Sequence, residues 1–153
     1  MTRPREISIR RVSAEETRPL RKAVLRPHQP LAARIYPGDT EARSAHFGAE
    51  RGGEIVGVAS IYPEPRPERA DEPGWRIRGM AVAPELRGFG VGRRLLEACL
   101  AFAADNGGGE VWCNARTTAA GFYRRQGFTE VSAEFDVPDL GPHFVMVRAE
   151  PES

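Results

Sequence analysis

The first part of the chain carries a strand pattern followed by a helix pattern. Residues 6–12 alternate between apolar and polar side chains, which is the period of a half-buried strand. Ser13 and Glu16 then stand at the spacing of a capping box, in which each residue bonds the other's backbone. We predict a helix from there to about residue 25. The side chains expected to face the core are Leu20, Val24 and Ala23.

Two apolar-patterned runs around a glycine pair predict a hairpin. The runs are Ala45–Arg51 and Glu54–Ile61, and Gly52-Gly53 between them is typical of a two-residue turn. The next stretch, residues 63–74, contains four prolines and six charged residues. We expect it to be a mobile surface loop, the least structured part of the chain, because it is too polar to join a core.

A strand, a helix and a second strand are predicted between residues 75 and 115. The short apolar run after Arg78, up to Val82, indicates a buried strand, which Trp75 opens and Pro84 ends. Apolar residues at helical spacing predict a helix from about Arg93, and Glu110–Ala115 is the next strand. Two strands joined by a helix are expected to pair in parallel through a right-handed crossover.

The remaining chain is predicted to add a short helix and two strands. Thr117 or Thr118 is expected to cap a helix that ends at Gly127. Residues 128–137 alternate cleanly and predict one strand, and residues 143–149 predict a final one. The order of elements predicts an α/β fold: a mixed, mostly antiparallel sheet of about seven strands with helices on both faces.

Length, charge and cysteine usage narrow the class of protein. The 153 residues suggest one domain over residues 1–153, and the net charge of +1 gives no field to recruit nucleic acid or an anionic membrane. No apolar run approaches the ~20 residues of a membrane span, and the first residues lack the apolar core of a signal peptide. Cys99 and Cys113 lie in apolar elements and form no metal-like pair. We expect a reduced, cytoplasmic protein without a metal.

Three phosphate-binding patterns compete for the glycine-rich stretch before the central helix. A dinucleotide fold needs G-x-G-x-x-G, but counting from Gly88 the third position falls on Arg93. A P-loop needs Gly-Lys-Ser/Thr, where this chain has Gly92-Arg93-Arg94. The pattern Arg/Gln-x-x-Gly-x-Gly/Ala is met by Arg87, Gly90 and Gly92. All three place glycines before a helix N-terminus, where backbone N–H groups bind anions.

With the strand end Met80-Ala81-Val82-Ala83-Pro84 before it, the third pattern resembles the GCN5-related N-acetyltransferase (GNAT) family. The signature of that family binds the pyrophosphate of acetyl-CoA. The resemblance implies that a run of residues binds this co-substrate: Met80, Ala81, Val82, Arg87, Gly88, Phe89, Gly90, Val91, Gly92 and Arg93. It also implies that the Met80 N–H stabilises the oxyanion formed from the thioester.

A second motif follows about 30 residues later and resembles the other signature of the family. It consists of Asn114, Ala119 or Ala120, the pair Phe122-Tyr123 and the pair Gly127-Phe128. The resemblance implies that Asn114, Ala119 and Phe122 contact the pantetheine arm. It places the Tyr123 hydroxyl near the sulfur, where a tyrosine is able to protonate the leaving thiolate.

The general base is less well defined by the sequence. Several family members use a glutamate on the central strand, but Arg76 and Arg78 occupy the polar positions here. The candidates elsewhere are His143, Glu134 and His28, of which His143 precedes the last strand. Cys113 is a weak candidate nucleophile, and we interpret it as a core residue.

Acceptor contacts are expected after the first helix, because this region forms part of the acceptor pocket in the family. The candidates are Arg26, His28, Arg34 and Tyr36, together with Arg78 and Glu134. Arg78 would favour an anionic group such as a carboxylate, or it pairs with Glu134 or Asp136.

The predicted function is therefore an acetyl-CoA-dependent N-acetyltransferase that acts on a primary amine of a small molecule or peptide. The amine attacks the thioester directly in a ternary complex. The alternative is a non-catalytic acyl-CoA-binding or sensor domain of the same fold. The family makes a homodimer plausible, but no interface is specified.

Overall fold

The computed structural model describes residues 6–25 and 35–149. They divide into two compact units. The first holds the described residues up to Tyr62 together with Ile77–Phe102, and the second holds Pro63–Arg76 and the residues from Ala103 onward. The expectation of a single domain over residues 1–153 stays a prediction.

The first unit is built on antiparallel strands. Strands β1 (Ser8–Val12), β2 (Ala45–Arg51) and β3 (Glu54–Tyr62) follow one another in the sheet, and β4 (Gly74–Val82) neighbours β3. Gly52 and Gly53 have φ of 58° and 85° in the turn between β2 and β3. Both central positions of the favoured hairpin turn need positive φ, so the predicted hairpin is confirmed.

Helix α1 (Ala14–Leu20) begins at the predicted capping box and continues into a π-helical segment, Arg21–Leu25. The Ser13 oxygen accepts from the Glu16 N–H and the Ser13 N–H donates to Glu16, as predicted. The predicted core face is wrong. Ala23 is exposed and Leu20 and Val24 are only half-buried, whereas Thr17 and Arg21 are fully buried. The spacing of apolar residues does not predict this face, because the largest buried side chain on it is Arg21, whose charge is paired with the Asp39 carboxylate.

Helix α2 (Val91–Asp105) begins two residues before the predicted start and forms the core of the first unit. Val91, Leu95 and Cys99 of this helix are at most 2% exposed. A Cβ added to Gly57 of β3 would lie 3.0 Å from side-chain atoms of both Leu95 and Val91. The glycine therefore lets the helix approach the sheet closely.

The second unit contains the parallel pair that the sequence predicts. The first three residues of β4 pair in parallel with β5 (Glu110–Arg116), and β5 pairs antiparallel with β8 (Gly141–Arg148). Strands β6 (Thr129–Glu130) and β7 (Phe135–Val137) also pair with β8.

Two local predictions in the second unit are wrong. Residues 128–137 form two short strands instead of one, because the Ser132 hydroxyl accepts from the Val145 N–H at 2.9 Å and takes the place of a ladder bond. Helix α3 (Ala120–Arg125) follows a 3-10 turn, Thr117–Ala119, and neither has a side-chain cap. The threonine cap is absent because the residues at the cap positions are Arg116 and Ala119.

The stretch 63–74 is better fixed than we predicted. It contains a 3-10 turn at Pro67–Arg69, and Arg66 makes two bonds of 2.7 and 3.2 Å to Glu110. The Trp112 indole N–H donates to the Glu64 carbonyl at 2.8 Å. Arg66 is thus part of an ion pair that anchors the stretch to β5, whereas the other charged residues of the stretch are exposed.

The fold class is confirmed: among residues 6–25 and 35–149, eight strands form a mixed, mostly antiparallel sheet with a small number of helices. Within the described residues, no helix has both the length and the apolar character needed to cross a membrane. The cytoplasmic location stays a prediction.

Candidate active site

The glycine-rich loop between β4 and α2 is open to solvent. A 3-10 turn, Pro84–Leu86, leads into it, and Gly88 and Gly90 adopt φ of 88° and 78°. This left-handed region is costly for residues with a Cβ. A Cβ added to either glycine would meet no atom within 4 Å. The glycines are thus required by the backbone conformation, and the space beside them is free for a ligand.

Backbone donors converge at the start of helix α2. The Arg94 N–H donates to the Gly90 carbonyl at 3.1 Å. The N–H groups of Val91, Gly92 and Arg93 come before this first intrahelical donor and therefore have no acceptor within the helix, and the helix dipole adds partial positive charge at this end. Arg87, next to the loop, is exposed. This arrangement of donors and charge suits a phosphate.

The arginines at this helix end have different contacts. Arg93 donates to Glu97 one turn along at 2.7 Å, and both side chains are mostly exposed. Arg94 donates to the Ile7 carbonyl at 2.8 Å and so ties the helix to the start of β1. Phe89, at the tip of the loop, is 57% exposed. Arg94 therefore has a structural contact, whereas Arg87 and Phe89 face solvent.

Strand β4 contains a kink just before Met80. Gly79 has φ of 67°, far from the extended conformation of the residues around it. A Cβ at this position would lie 3.1 Å from both Arg21 Nε and a ring carbon of Tyr36. A glycine inside a strand pattern often marks such a kink or a close approach, so this signal was present in the sequence and was not used.

A buried polar cluster lies beside this kink in the first unit. Arg21 donates to both carboxylate oxygens of Asp39, at 2.7 and 3.1 Å, and also to the Ser60 and Tyr62 hydroxyls. The Tyr62 hydroxyl donates to Asp39 at 2.5 Å. Ser60 also contacts Nδ1 of His46 at 2.6 Å. The cluster thus joins the π-helical segment, the turn at Asp39, β2 and β3.

The ionisation states in this cluster follow from burial and pairing. Burial alone would raise the pKa of the Asp39 carboxyl, but hydrogen bonds from Arg21 and Tyr62 outweigh it and hold this pKa below its ordinary value. Burial raises the pKa of Tyr62 well above its ordinary value, although the charge of Arg21 opposes this. Arg21 and Asp39 are therefore charged, and Tyr62 keeps its proton.

His46 is held as one neutral tautomer. Its Nε2 lies 2.8 Å from the Asp39 carbonyl, which only accepts, so Nε2 carries the proton. Its Nδ1 is then left to accept from the Ser60 hydroxyl. Burial lowers the pKa of His46 below 6.5, although the bond to Asp39 opposes the shift.

Tyr36 connects this cluster to strand β4. The Arg21 guanidinium carbon lies 4.0 Å from the centre of the Tyr36 ring, and that of Arg78 lies 4.2 Å from the same centre. The Tyr36 N–H donates to Asp39, and its carbonyl accepts from the Asp39 N–H. Tyr36 is thus held by both its backbone and its ring.

The second motif lies in the second unit. Asn114 is exposed on β5 opposite Val145 of β8. Ala119 and Phe122 are half-buried around the start of α3, and Tyr123 is 7% exposed. The Tyr123 ring packs edge to face against those of Phe122 and Phe128, with centres 5.1 and 5.4 Å apart.

The candidate bases of the second unit differ in exposure. Glu134 is exposed, whereas His143 is 5% exposed beside the Phe135 ring. Nδ1 of His143 lies 2.8 Å from the Gly141 carbonyl and therefore carries a proton. Only Nε2 is able to accept a substrate proton. Cys113 is buried, and burial raises the pKa of its thiol to about 12, so it packs as a core residue.

The predicted site residues are distributed over the two compact units. Tyr36, Arg78 and the run from Met80 to Arg93 belong to the first unit, and the motif from Asn114 to Tyr123 belongs to the second with Glu134 and His143. Arg26, His28 and Arg34 lie outside the described residues. Sequence reasoning missed the buried cluster and the kink: Arg21, Asp39, His46, Ser60, Tyr62 and Gly79.

Comparison with solved structures identifies the fold. Over 94% of its length the chain superposes on 99% of an acyl-CoA N-acyltransferase from Pseudomonas aeruginosa, with a TM-score of 0.76 and 22% identity. An aminoglycoside 6'-N-acetyltransferase complexed with coenzyme A superposes with a TM-score of 0.73 at 13% identity, over 93% of this chain and 96% of that one. The fold is that of the acyl-CoA N-acyltransferases.

The family follows from the sequence. The chain is 32% identical over 142 residues to a Bacillus subtilis (strain 168) protein named uncharacterized N-acetyltransferase YitI, which covers 93% of this chain and 95% of that protein. The model of the acetyltransferase (GNAT) family matches residues 9–128. The chain belongs to this family, and the predicted enzyme class, N-acetyltransferase, is confirmed.

Proposed function

We propose that this enzyme transfers the acetyl group of acetyl-CoA to a primary amine of a small molecule or peptide, by direct attack within a ternary complex. The observation that carries the proposal is the open loop at the start of α2. There Gly88 and Gly90 hold a left-handed backbone beside empty space, and backbone donors point from the helix end.

The loop would hold the pyrophosphate of acetyl-CoA. The N–H groups of residues 91–93 would donate to it, Gly88, Phe89 and Gly90 would line it, and Arg87 would add a positive charge. The pantetheine arm would be bonded by the backbone groups of Met80, Ala81 and Val82. The resemblance to the family implies that this arm would also contact three residues of the second motif: Asn114, Ala119 and Phe122. A structural neighbour complexed with coenzyme A supports this choice of co-substrate.

The chemistry requires no covalent enzyme intermediate. The neutral amine attacks the thioester carbon, and the carbonyl π electrons move to oxygen, where the Met80 N–H stabilises the charge. Collapse of this intermediate breaks the carbon–sulfur bond and releases the thiolate of CoA. Tyr123 donates its proton to this sulfur, and the amine nitrogen loses one proton to a base. The products are an amide and CoA.

The base we propose is His143. Its Nδ1 proton is engaged by the Gly141 carbonyl, so Nε2 presents a lone pair in the neutral ring. Glu134, a carboxylate that is exposed to solvent, is the alternative. His28 stays a prediction because it lies outside the described residues.

The acceptor site would include Tyr36 and Arg78. Arg78 lies two residues before Met80 on β4 and is stacked on the Tyr36 ring. An arginine at this position favours an acceptor that carries a carboxylate or another anion close to its amine. Arg26 and Glu134 stay predictions as acceptor contacts, and so does the homodimer.

A screen of amines tests the proposal. Acetyl-CoA is mixed with groups of amino acids, polyamines, aminoglycosides and short peptides, CoA release is followed with a thiol reagent, and acetylated products are identified by mass spectrometry. We expect release that depends on an amine, and a Tyr123→Phe variant with a lower kcat but unchanged affinity for acetyl-CoA. Phe128→Leu is the control for packing, because the Phe128 ring also packs against that of Tyr123.

Two outcomes would contradict the proposal. Binding of acetyl-CoA without acetylation of any amine would favour the non-catalytic acyl-CoA-binding domain. A Tyr123→Phe variant with the turnover of the unmodified enzyme would remove Tyr123 as the proton donor.

A further inference from the structure

The buried cluster around Arg21 is larger than stability alone explains. Arg21 and Asp39 are at most 6% exposed, and Ser60, Tyr62 and His46 complete a network drawn from distant parts of the chain. Replacing a buried ion pair by apolar residues is often neutral or stabilising, because desolvation cancels most of the Coulomb attraction. Such a connected polar network fixes one geometry instead.

Tyr36 is the residue that the ion pair holds. The Asp39 carboxylate accepts from the Tyr36 N–H at 2.9 Å, and the Asp39 N–H donates to the Tyr36 carbonyl at 3.1 Å. The other half of the pair, Arg21, stacks on the Tyr36 ring at 4.0 Å. One ion pair thus restrains the backbone and the side chain of the same residue, which is 5% exposed.

Tyr36 in turn contacts the kinked part of β4. Arg78 stacks on its ring at 4.2 Å. At Gly79 the approach is close enough that an added Cβ would lie 3.1 Å from the Tyr36 ring. Gly79 takes its left-handed conformation at this contact, and the following peptide N–H is that of Met80. The direction of that N–H depends on the Gly79 conformation.

We propose that Tyr36 is a positioning residue for the Met80 N–H: the Arg21–Asp39 pair holds the Tyr36 ring, and the ring holds the backbone at Arg78 and Gly79. The inference rests on the proposed function, in which Met80 donates to the thioester oxygen. It adds that the geometry of this donor is set by a tyrosine and an ion pair outside the co-substrate loop.

The signature of this role is a change at the thioester carbonyl without a change in CoA affinity. A leucine at position 36 removes the stacked ring and frees the kink, so the donor is misdirected. A misdirected oxyanion donor lowers kcat by about 10- to 100-fold. A phenylalanine keeps the stacked ring, so the direction of the donor should be preserved. Affinity for CoA, which lacks the acetyl group, should not change.

The test is infrared spectroscopy of acetyl-CoA with a ¹³C-labelled carbonyl, bound to the full-length protein. In the unmodified protein we expect the carbonyl band to move to lower frequency than in water, because the donor polarises it. The shift should be lost in Tyr36→Leu and kept in Tyr36→Phe. Calorimetry on the same variants measures their affinity for CoA, which reports whether the remainder of the co-substrate site is intact. Phe47→Leu is the matched control, because Phe47 also stacks against an arginine, Arg11, elsewhere in the unit.

Each outcome separates this inference from the proposed function. A full carbonyl shift in Tyr36→Leu would overturn the inference and leave the proposed function intact. An equal loss in Tyr36→Phe or in Phe47→Leu would also overturn it, because neither substitution removes the stacked ring at position 36. No binding of CoA to the unmodified protein would instead refute the proposed function, and the inference with it.

Discussion

His46 illustrates how one buried residue ties stability to pH. Its ring is fixed between the Ser60 hydroxyl and the Asp39 carbonyl, and burial lowers its pKa below 6.5. In the unfolded chain the ring takes up a proton as the pH falls through about 6.5, while in the folded chain it stays neutral to lower pH. The unfolded state then binds more protons, so the folded state loses stability.

We therefore predict that the free energy of unfolding falls as the pH is lowered from about 7.5 to about 5, with a slope of at most about 1.4 kcal/mol per pH unit from this group. A His46→Gln variant should lose this part of the slope, whatever its absolute stability. Urea unfolding of both proteins across this range measures the difference. If the free energy of unfolding has the same slope against pH in both proteins, His46 is not the source of the effect.

Individual residues were predictable where a local motif defined them. Ser13 and Glu16 lie three positions apart, and their reciprocal bonds could be predicted from that spacing alone. Arg21 and Asp39 are 18 positions apart on different elements. No spacing rule relates such a pair, so their burial could not be predicted from one sequence.

Arg21 attaches the π-helical segment to other parts of the first unit. The ion pair to Asp39 joins it to the turn at Tyr36–Asp39, and the bonds to Ser60 and Tyr62 join it to β3. Breaking a buried ion pair on one side leaves an uncompensated charge and typically costs about 3–5 kcal/mol.

We predict that Asp39→Asn, which keeps the shape but removes the charge, lowers the free energy of unfolding by about 3–5 kcal/mol. The control is Glu97→Gln, which breaks an exposed ion pair with Arg93 and should cost at most about 0.5 kcal/mol. Chemical denaturation compares the two. Similar small losses in both variants would mean that the buried pair does not anchor the segment.

The boundaries of helices and strands could be predicted where the conformational needs of the backbone determine them. Gly52-Gly53 produced the hairpin because its turn needs two positive φ angles, and the run from Trp75 produced β4. The strand predicted over residues 128–137 failed because a side chain, Ser132, bonds the partner strand where a backbone group was expected. The alternation of apolar residues does not indicate where a side chain will replace a backbone group in the hydrogen bonds between strands.

The assignment of the whole molecule depends on two motifs in the correct order. The glycine loop precedes α2, and the Asn114 to Tyr123 motif follows on β5 and α3. Their order identified the family, which the match over residues 9–128 confirms. The acceptor could not be identified in this way, because the residues that we propose for its site, Tyr36 and Arg78, belong to neither family motif.

The central claim is that the loop at Gly88–Gly92 binds acetyl-CoA, and thermal unfolding with added ligands tests it most directly. The unmodified protein is compared with Gly90→Asp, which places a negative charge where the pyrophosphate would lie. The control is Gly53→Asp, since Gly53 has a similar φ of 85° and no atom within 4 Å of an added Cβ, but lies in the hairpin turn. Acetyl-CoA, CoA, ATP and NAD are tested in parallel.

A ligand at ~100 times its dissociation constant adds ~2.7 kcal/mol, enough to raise the unfolding midpoint by several degrees. We predict such a rise with acetyl-CoA and CoA for the unmodified protein and Gly53→Asp, and none for Gly90→Asp. A rise with ATP or NAD alone, or an undiminished response to CoA in Gly90→Asp, would contradict the assignment of the loop.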